Sequence, residues 1–417
     1  MGEMTRRAFL AATAAAAVAA RPGAARPGAA RVLVVGGGFA GAACALELRA
    51  LAPALEVVLV DPDDRYVTCP MSNSVIAGLR PMSSITVSRS GLPRAGVRIV
   101  RDTVAAIDPE RRQARLRSGT ALAYDRLVLA AGIRFLWGHP EGYSENAAER
   151  LPHAWQAGAQ TQLLAAQLAA LRPGGVVAIS VPAGPMRCPP GPFERASLMA
   201  AFLARRGRRA KVLIFDANNH FPRQDAFSAA WRELYPGTIE WIPMTEGGAL
   251  ERVDPERMTL YSARGAQRVD VINIIPPQAP AALAVQAGLA SDHGWCPVEP
   301  ATFESTLVPG VHVIGDACIA DPMPKAASAA HAQARQCARA LAAEFAGAAP
   351  ALPVMDSVCY SLLAPGRALS IRARFETRGG VIAPLPGGPG AVMVSEQDEA
   401  RNAASWYRRI VAESFGV

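Results

Sequence analysis

Apolar and polar positions follow two rhythms along this chain. Short unbroken apolar runs recur: "RVLVV", "EVVLVD", "RLVLAAG", "GGVVAIS", "AKVLIFD" and "VHVIGD". Runs of this length, rich in Val, Ile and Leu and closed by Gly or Asp, predict strands buried on both faces. Between them lie longer alanine-rich stretches of helical character. They include "FAGAACALEL", a run near 195–206, and one from about Lys325, "MPKAASAAHAQARQCARAL". Strands alternating with helices predict an α/β fold with parallel sheets. From about 347 the rhythm changes to strand-like alternation through "VCYSLLAPGRALSIRARFETRGG", closed by the amphipathic "NAASWYRRIVAESFG". That last part reads as a small α+β unit.

The first apolar run ends in Gly36-x-Gly38-x-x-Gly41 and a helix. Glycines at this spacing allow a tight turn and let a pyrophosphate approach the helix N-terminus. The second run ends in Asp61, 20 residues beyond Gly41, where an acid accepts hydrogen bonds from an adenosine ribose. Two later strands end in Ala-Ala-Gly132 and in Gly315-Asp316. Together these resemble the flavoproteins of the glutathione reductase type, which have two dinucleotide-binding domains. That resemblance implies FAD, with Asp316 on the ribityl chain and the following helix aimed at the flavin ring. Two roles are open to Lys325: assisting there, or standing as a solvated helix start.

The second Rossmann-like unit departs from the pattern. Its strand-to-helix turn, "SVPAGPMRCPPGPFERA", holds five prolines and Cys188 instead of a glycine fingerprint. Proline has no N–H to give a phosphate, so the turn argues against NAD(P). Of the seven cysteines, Cys44 and Cys337 fall in alanine-rich helical stretches and read as small core residues, while Cys296 and Cys318 have no evident role. Cys69, Cys188 and Cys359 stand in unusual company, in "TCPMSNSVIAG", "RCPPGPFERA" and "CYSLLAPG".

Those three motifs, in that order, closely resemble the flavoprotein subunit of flavocytochrome c sulfide dehydrogenase and the similar flavoprotein of sulfur-oxidation systems. The resemblance runs from about residue 31 to the end. It implies FAD bonded covalently to Cys69, and a redox disulfide between Cys188 and Cys359. It also implies sulfide as substrate, with electrons passing to FAD and then to a c-type cytochrome subunit in a heterodimer. Sulfide at neutral pH is largely HS⁻, and its attack on a disulfide sulfur is thiol–disulfide exchange. Glu194, six residues after Cys188, either moves protons near the disulfide or stabilises a helix N-terminus. A sulfide:quinone oxidoreductase-like enzyme is the competing reading.

Composition refines this picture. The chain has 417 residues, 51% hydrophobic, with a formal charge of +8. "MTRRAFLAATAAAAVAA" reads as a twin-arginine signal around Arg6 and Arg7, which places the mature protein in the periplasm. Its removal leaves a charge of about +5, no case for nucleic acid. No segment reads as transmembrane. No CxxCH occurs, so haem c belongs to a partner, and the six scattered histidines offer no metal spacing. The expected organisation is a signal peptide at 1–30, an FAD-binding domain at 31–150 and 271–346, a second Rossmann-like domain at 151–270, and a C-terminal domain at 347–417.

Overall fold

The computed structural model describes residues 29–385 and 395–417. The twin-arginine stretch lies outside the described residues. The first sheet is wholly parallel. Its strands run in the order Val311–Val313, Arg126–Leu129, Arg31–Val35, Glu56–Val60 and Arg98–Val100. Val32, Leu33, Leu59, Leu127 and Val128 are completely buried, as unbroken apolar strands between covering layers must be. The helices Phe39–Leu51 and Ala327–Phe345 pack against each other over this sheet. Gly315 sits close against both: a Cβ there would stand 3.2 Å from that of Ala40 and 3.9 Å from that of Ala330. Cys44 and Cys337 meet in this interface, both fully buried. Cys296 and Cys318 face each other across a short parallel pairing.

A second parallel sheet orders its strands Ile239–Ile242, Lys211–Asp216, Val176–Val181 and Val271–Ile274. The helix after its rebuilt turn spans Gly191–Arg205, so it begins some four residues before the expected 195. Pro192 causes no break there, because the first helical turn has no use for its missing N–H. These two sheets make the mixed α/β architecture expected of two Rossmann-like units.

The final part is an antiparallel sheet of Met355–Ala364, Arg367–Arg378 and Val381–Pro384, covered by the helix Glu396–Phe415. Ser395 caps that helix by accepting the Asp398 N–H at 3.1 Å. Phe415 is fully buried, with its ring 5.4 Å from Phe39 and 5.5 Å from Tyr66. The C-terminus is thereby anchored beside the glycine turn. The carboxyl ends of strands in the first sheet open toward one cavity, the turn and helix after Val176–Val181 form another wall, and the antiparallel sheet closes it.

Candidate active site

The cavity has a volume of about 950 Å³ and runs from Asp61 to Cys359. At one end lies the glycine turn. A Cβ on Gly36 would meet the Ala130 oxygen at 2.6 Å, and one on Gly41 would meet the Gly36 oxygen at 1.8 Å. Side chains are therefore excluded from both positions. Gly41 does not line the cavity; it permits the close packing that shapes it. Gly36 and Gly38 line it, as do Gly132, Gly315 and Asp316. Asp61 accepts the Gly37 N–H at 2.7 Å and pairs with Arg89 at 2.8 Å. Arg89 is nearly buried and also donates to the Gly37 oxygen at 2.9 Å. Nothing in the local sequence marks Arg89, because its partners lie in other strands' loops.

Cys69 follows the strand Arg65–Val67 and precedes the short helix Ser72–Ile76. Its thiol points to the Trp155 carbonyl oxygen at 3.7 Å. Thr68 beside it is held to the Tyr407 hydroxyl at 2.8 Å.

Cys188 stands in the left-handed region, at φ 54°, in the turn before the helix Gly191–Arg205. Its N–H donates to the Lys325 oxygen at 2.8 Å, and its own oxygen accepts the Gly191 N–H at 2.8 Å. A Cβ on Gly191 would stand 3.0 Å from the Cys188 sulfur and 2.7 Å from the Trp155 ring. Glycine is needed here to leave room for the thiol. Cys359, on the strand Met355–Ala364, lines the same cavity. Both cysteines are free thiols in this structure, so the expected bond between them is open. Burial pushes the Cys359 thiol up to about 11, with the Glu194 carboxylate adding to the effect. Burial raises the Cys188 thiol further, with Cys359 and Glu194 pushing the same way.

Glu194 is half-buried on the cavity wall. It accepts the Asn73 side-chain N–H at 2.8 Å and the Leu362 N–H at 2.9 Å. Burial raises its carboxyl, and these donors only partly offset that. The three cysteine motifs thus share one carboxylate. Its neighbour Arg195 is also buried, bonded to Asn73, Asn273, and the oxygens of His153 and Ala154 at 2.6–3.1 Å. Arg187 donates to the Trp155 oxygen and lies 4.0 Å from Asp316. Burial raises the Asp316 carboxyl against the pull of Arg187 and Lys325.

Lys325 is placed differently from the expectation. The helix begins at Ala327, and the Lys325 ammonium turns away to the Cys318 oxygen at 2.9 Å and the Trp295 ring at 3.8 Å. Its side chain does not line the cavity. Its backbone oxygen contributes instead, by holding Cys188. Arg187, Arg195, Asn73 and Trp155 were not singled out in the sequence, although the first three lie inside its own motifs, "RCPPGPFERA" and "TCPMSN".

In the second parallel unit, Asp216 ends a central strand where a nucleotide ribose would be received. Its oxygens are already taken by the Asn218 N–H and side chain, at 2.9 and 2.8 Å, and by Trp241 at 2.9 Å. Asn218 in turn donates to the Pro182 oxygen at 2.9 Å, tying the cleft shut against the proline-rich turn.

The residues of the main cavity fit FAD. Gly36 and Gly41 admit no side chain, and Asp316 keeps its oxygens beyond hydrogen-bond reach of Arg187. The buried Trp155 indole N–H on the wall has no partner. Such a site can hold a dinucleotide with its reactive end near two thiols.

Comparison with known proteins agrees with this geometry. Residues 161–276 match the family model described as sulfide dehydrogenase [flavocytochrome c] flavoprotein chain, central. Residues 351–415 match flavocytochrome c sulphide dehydrogenase, flavin-binding, and residues 30–170 match pyridine nucleotide-disulphide oxidoreductase. The sulfide dehydrogenase [flavocytochrome c] flavoprotein chain of Chlorobaculum thiosulfatiphilum is 58% identical over 45 residues, 11% of this chain and 94% of that sequence. The mitochondrial sulfide:quinone oxidoreductase of Mus musculus is 25% identical over 327 residues, 72% of this chain and 68% of that protein. The solved sulfide:quinone oxidoreductase of Aquifex aeolicus superposes with a TM-score of 0.76 at 18% identity, covering 93% of this chain and 92% of that one. The last likeness establishes the fold.

Proposed function

We propose, from the premise that the chain belongs to the flavocytochrome c sulfide dehydrogenase flavoprotein family, that it oxidises sulfide through a Cys188–Cys359 disulfide and passes the electrons to a c-type cytochrome subunit. The family is one of sulfide-oxidising FAD flavoproteins. The observation that carries the finer reading is the shared cavity of Cys188, Cys359, Cys69 and the glycine turn. We place the protein in the periplasm, on the strength of the Arg6-Arg7 leader, and FAD on Cys69 through a thioether.

HS⁻ attacks one sulfur of the disulfide, and the sulfur–sulfur bond breaks. One cysteine becomes a persulfide and the other leaves as thiolate. A second HS⁻ takes the outer sulfur as hydrogen disulfide and leaves a second thiolate. FAD, when bound, supplies the acceptor for the two electrons released as the disulfide re-forms, and can surrender them singly to a haem. Glu194 lies beside the thiols and holds or releases the proton these steps exchange. Burial raises both thiols, so the thiolates these steps release take up protons, which must leave again before the disulfide re-forms.

Quinone is the competing acceptor, because the Mus musculus and Aquifex aeolicus relatives are named for it. Among the described residues no helix is long and apolar enough to cross a membrane. The test is to reduce the holoprotein with sulfide and mix it separately with a c-type cytochrome and a soluble quinone. Faster reoxidation by the cytochrome is expected. Faster reoxidation by quinone would replace the proposed acceptor.

A further inference from the structure

We propose that Ser328 is a positioning residue for Cys359: its hydroxyl holds the edge of the strand that carries this cysteine and donates a hydrogen bond to its sulfur. This rests on the reading of Cys188 and Cys359 as the thiols that meet sulfide. Among the described residues, Met355–Ala364 is the outer strand of its sheet, so one side of its backbone has no neighbouring strand to bond. Two side chains from other elements serve that side instead. The Val358 N–H donates to the Ser328 hydroxyl at 3.1 Å, and the Leu362 N–H to the Glu194 carboxylate at 2.9 Å. Residues 358 and 362 are an even number apart, so both N–H groups leave the same side of the strand. Cys359 lies between them, next to the one held by Ser328.

Ser328 belongs to the first turn of the helix Ala327–Phe345, is buried, and lines the cavity together with Cys359. A hydroxyl has one donor and two acceptor sites. The Val358 N–H takes one acceptor site. Ser357 meets Ser328 oxygen to oxygen at 3.1 Å and, by giving its own hydrogen there, fills the second. The Ser328 hydrogen is then left for the sulfur. The balance at that sulfur agrees: burial first, and then the Glu194 carboxylate, raise the Cys359 thiol, and the Ser328 hydrogen bond lowers it. A hydrogen bond to an ionised group is stronger than one to a neutral group. Ser328 therefore favours the thiolate of Cys359, the form in which a cysteine leaves or attacks in disulfide exchange. Ser357 is as small and as buried, but it does not line the cavity, which makes it the control.

The test is alkylation of the reduced holoprotein by iodoacetamide at one pH, with the Cys359-to-Cys188 rate ratio read by peptide mass spectrometry. In Ser328→Ala the thiolate population at Cys359 should fall about tenfold. The remaining thiolate is a stronger nucleophile, so the ratio should fall about fourfold. A serine that only packs the strand gives the opposite sign, because a loosened edge exposes Cys359 and raises the ratio. Ser357→Ala should keep the ratio within about twofold of that in the unmodified protein. A ratio unchanged or raised in Ser328→Ala overturns the proposal, and so does an equal fall in Ser357→Ala. A crystal structure of the reduced holoprotein decides the same point without any variant. The Ser328 hydroxyl is expected within hydrogen-bond reach of the Cys359 sulfur, and a hydroxyl turned away from it overturns the proposal. If sulfide still reduces the flavin when Cys188 and Cys359 are both serine, the thiol reading itself has failed. If that double variant is inert while Ser328→Ala keeps its alkylation ratio, only the role of Ser328 has failed.

Discussion

The Glu194 carboxylate accepts the Leu362 N–H at 2.9 Å, joining the helix behind Cys188 to the strand that carries Cys359. The same carboxylate accepts from Asn73, four residues after Cys69, at 2.8 Å. One carboxylate therefore ties together three cysteine motifs that lie far apart in the chain. Replacing it with alanine takes the Leu362 N–H's acceptor away and leaves the Asn73 amide with the Gly191 oxygen alone. Glu194→Ala should destabilise the protein by about 1–3 kcal/mol. It should also slow sulfide-dependent flavin reduction more than tenfold, by loosening the thiol pair. Thermal unfolding and stopped-flow absorbance check the two effects. Unchanged stability would show that Glu194 does not join these segments.

Gly191 gives a sharper test of the cavity's shape. A methyl group there would press on the Cys188 sulfur from 3.0 Å and on the Trp155 ring from 2.7 Å. Gly191→Ala should cost about 1–3 kcal/mol of stability. It should shift the reactivity of Cys188 toward alkylation while sparing that of Cys44. A crystal structure of the variant with both side chains unmoved would contradict the packing described here.

His153 accepts the Trp155 N–H at 2.9 Å with its Nδ1, and burial first, then Arg195 and Arg187, lower it from 6.5 to about 4. Unfolded, this histidine takes a proton near pH 6.5 and the folded protein refuses it. Stability from His153 is therefore present above pH 6.5 and lost as pH falls toward 4. The loss is at most about 3 kcal/mol. His153→Asn keeps an acceptor near the Nδ1 position but cannot charge. Its melting temperature should fall less steeply between pH 6.5 and 4.5 than that of the unmodified protein. Parallel curves would remove His153 from the acid response.

The covalent link has its own readout. Cys69→Ala should retain flavin under native conditions and lose it to the supernatant on acid precipitation, whereas the unmodified protein keeps its colour in the pellet. A coloured Cys69→Ala pellet would put the bond on another residue.

Much of the fold was legible because its causes are local. Five-residue apolar strands and a glycine turn before Phe39 announce themselves in the chain, and Asp61 and Asp316 follow from strand ends. The site was legible only in part. Cys69, Cys188 and Cys359 drew notice through their surroundings, yet which groups touch them depends on how separate sheets pack. Arg89 and Trp155 act through partners more than 25 residues away, so no spacing reveals them. For Lys325 the position before an alanine-rich helix left two roles open, a cofactor contact and a solvated helix start, and its side chain takes neither place. Its ammonium prefers a nearby carbonyl and the Trp295 face, an arrangement that requires the 296–318 strand pairing to be in place.

The most direct measurement is anaerobic mixing of the holoprotein with sulfide while following the visible absorbance of the flavin. The unmodified protein should bleach with sulfide and not with NADH, because Cys188 and Cys359 receive the former while Asp216 and Asn218 leave the second nucleotide cleft tied shut. Bleaching by sulfide should vanish when Cys188 and Cys359 are both replaced by serine. Bleaching that persists in that double variant, or an equally fast response to NADH, would contradict the assignment of the chemistry to these two thiols.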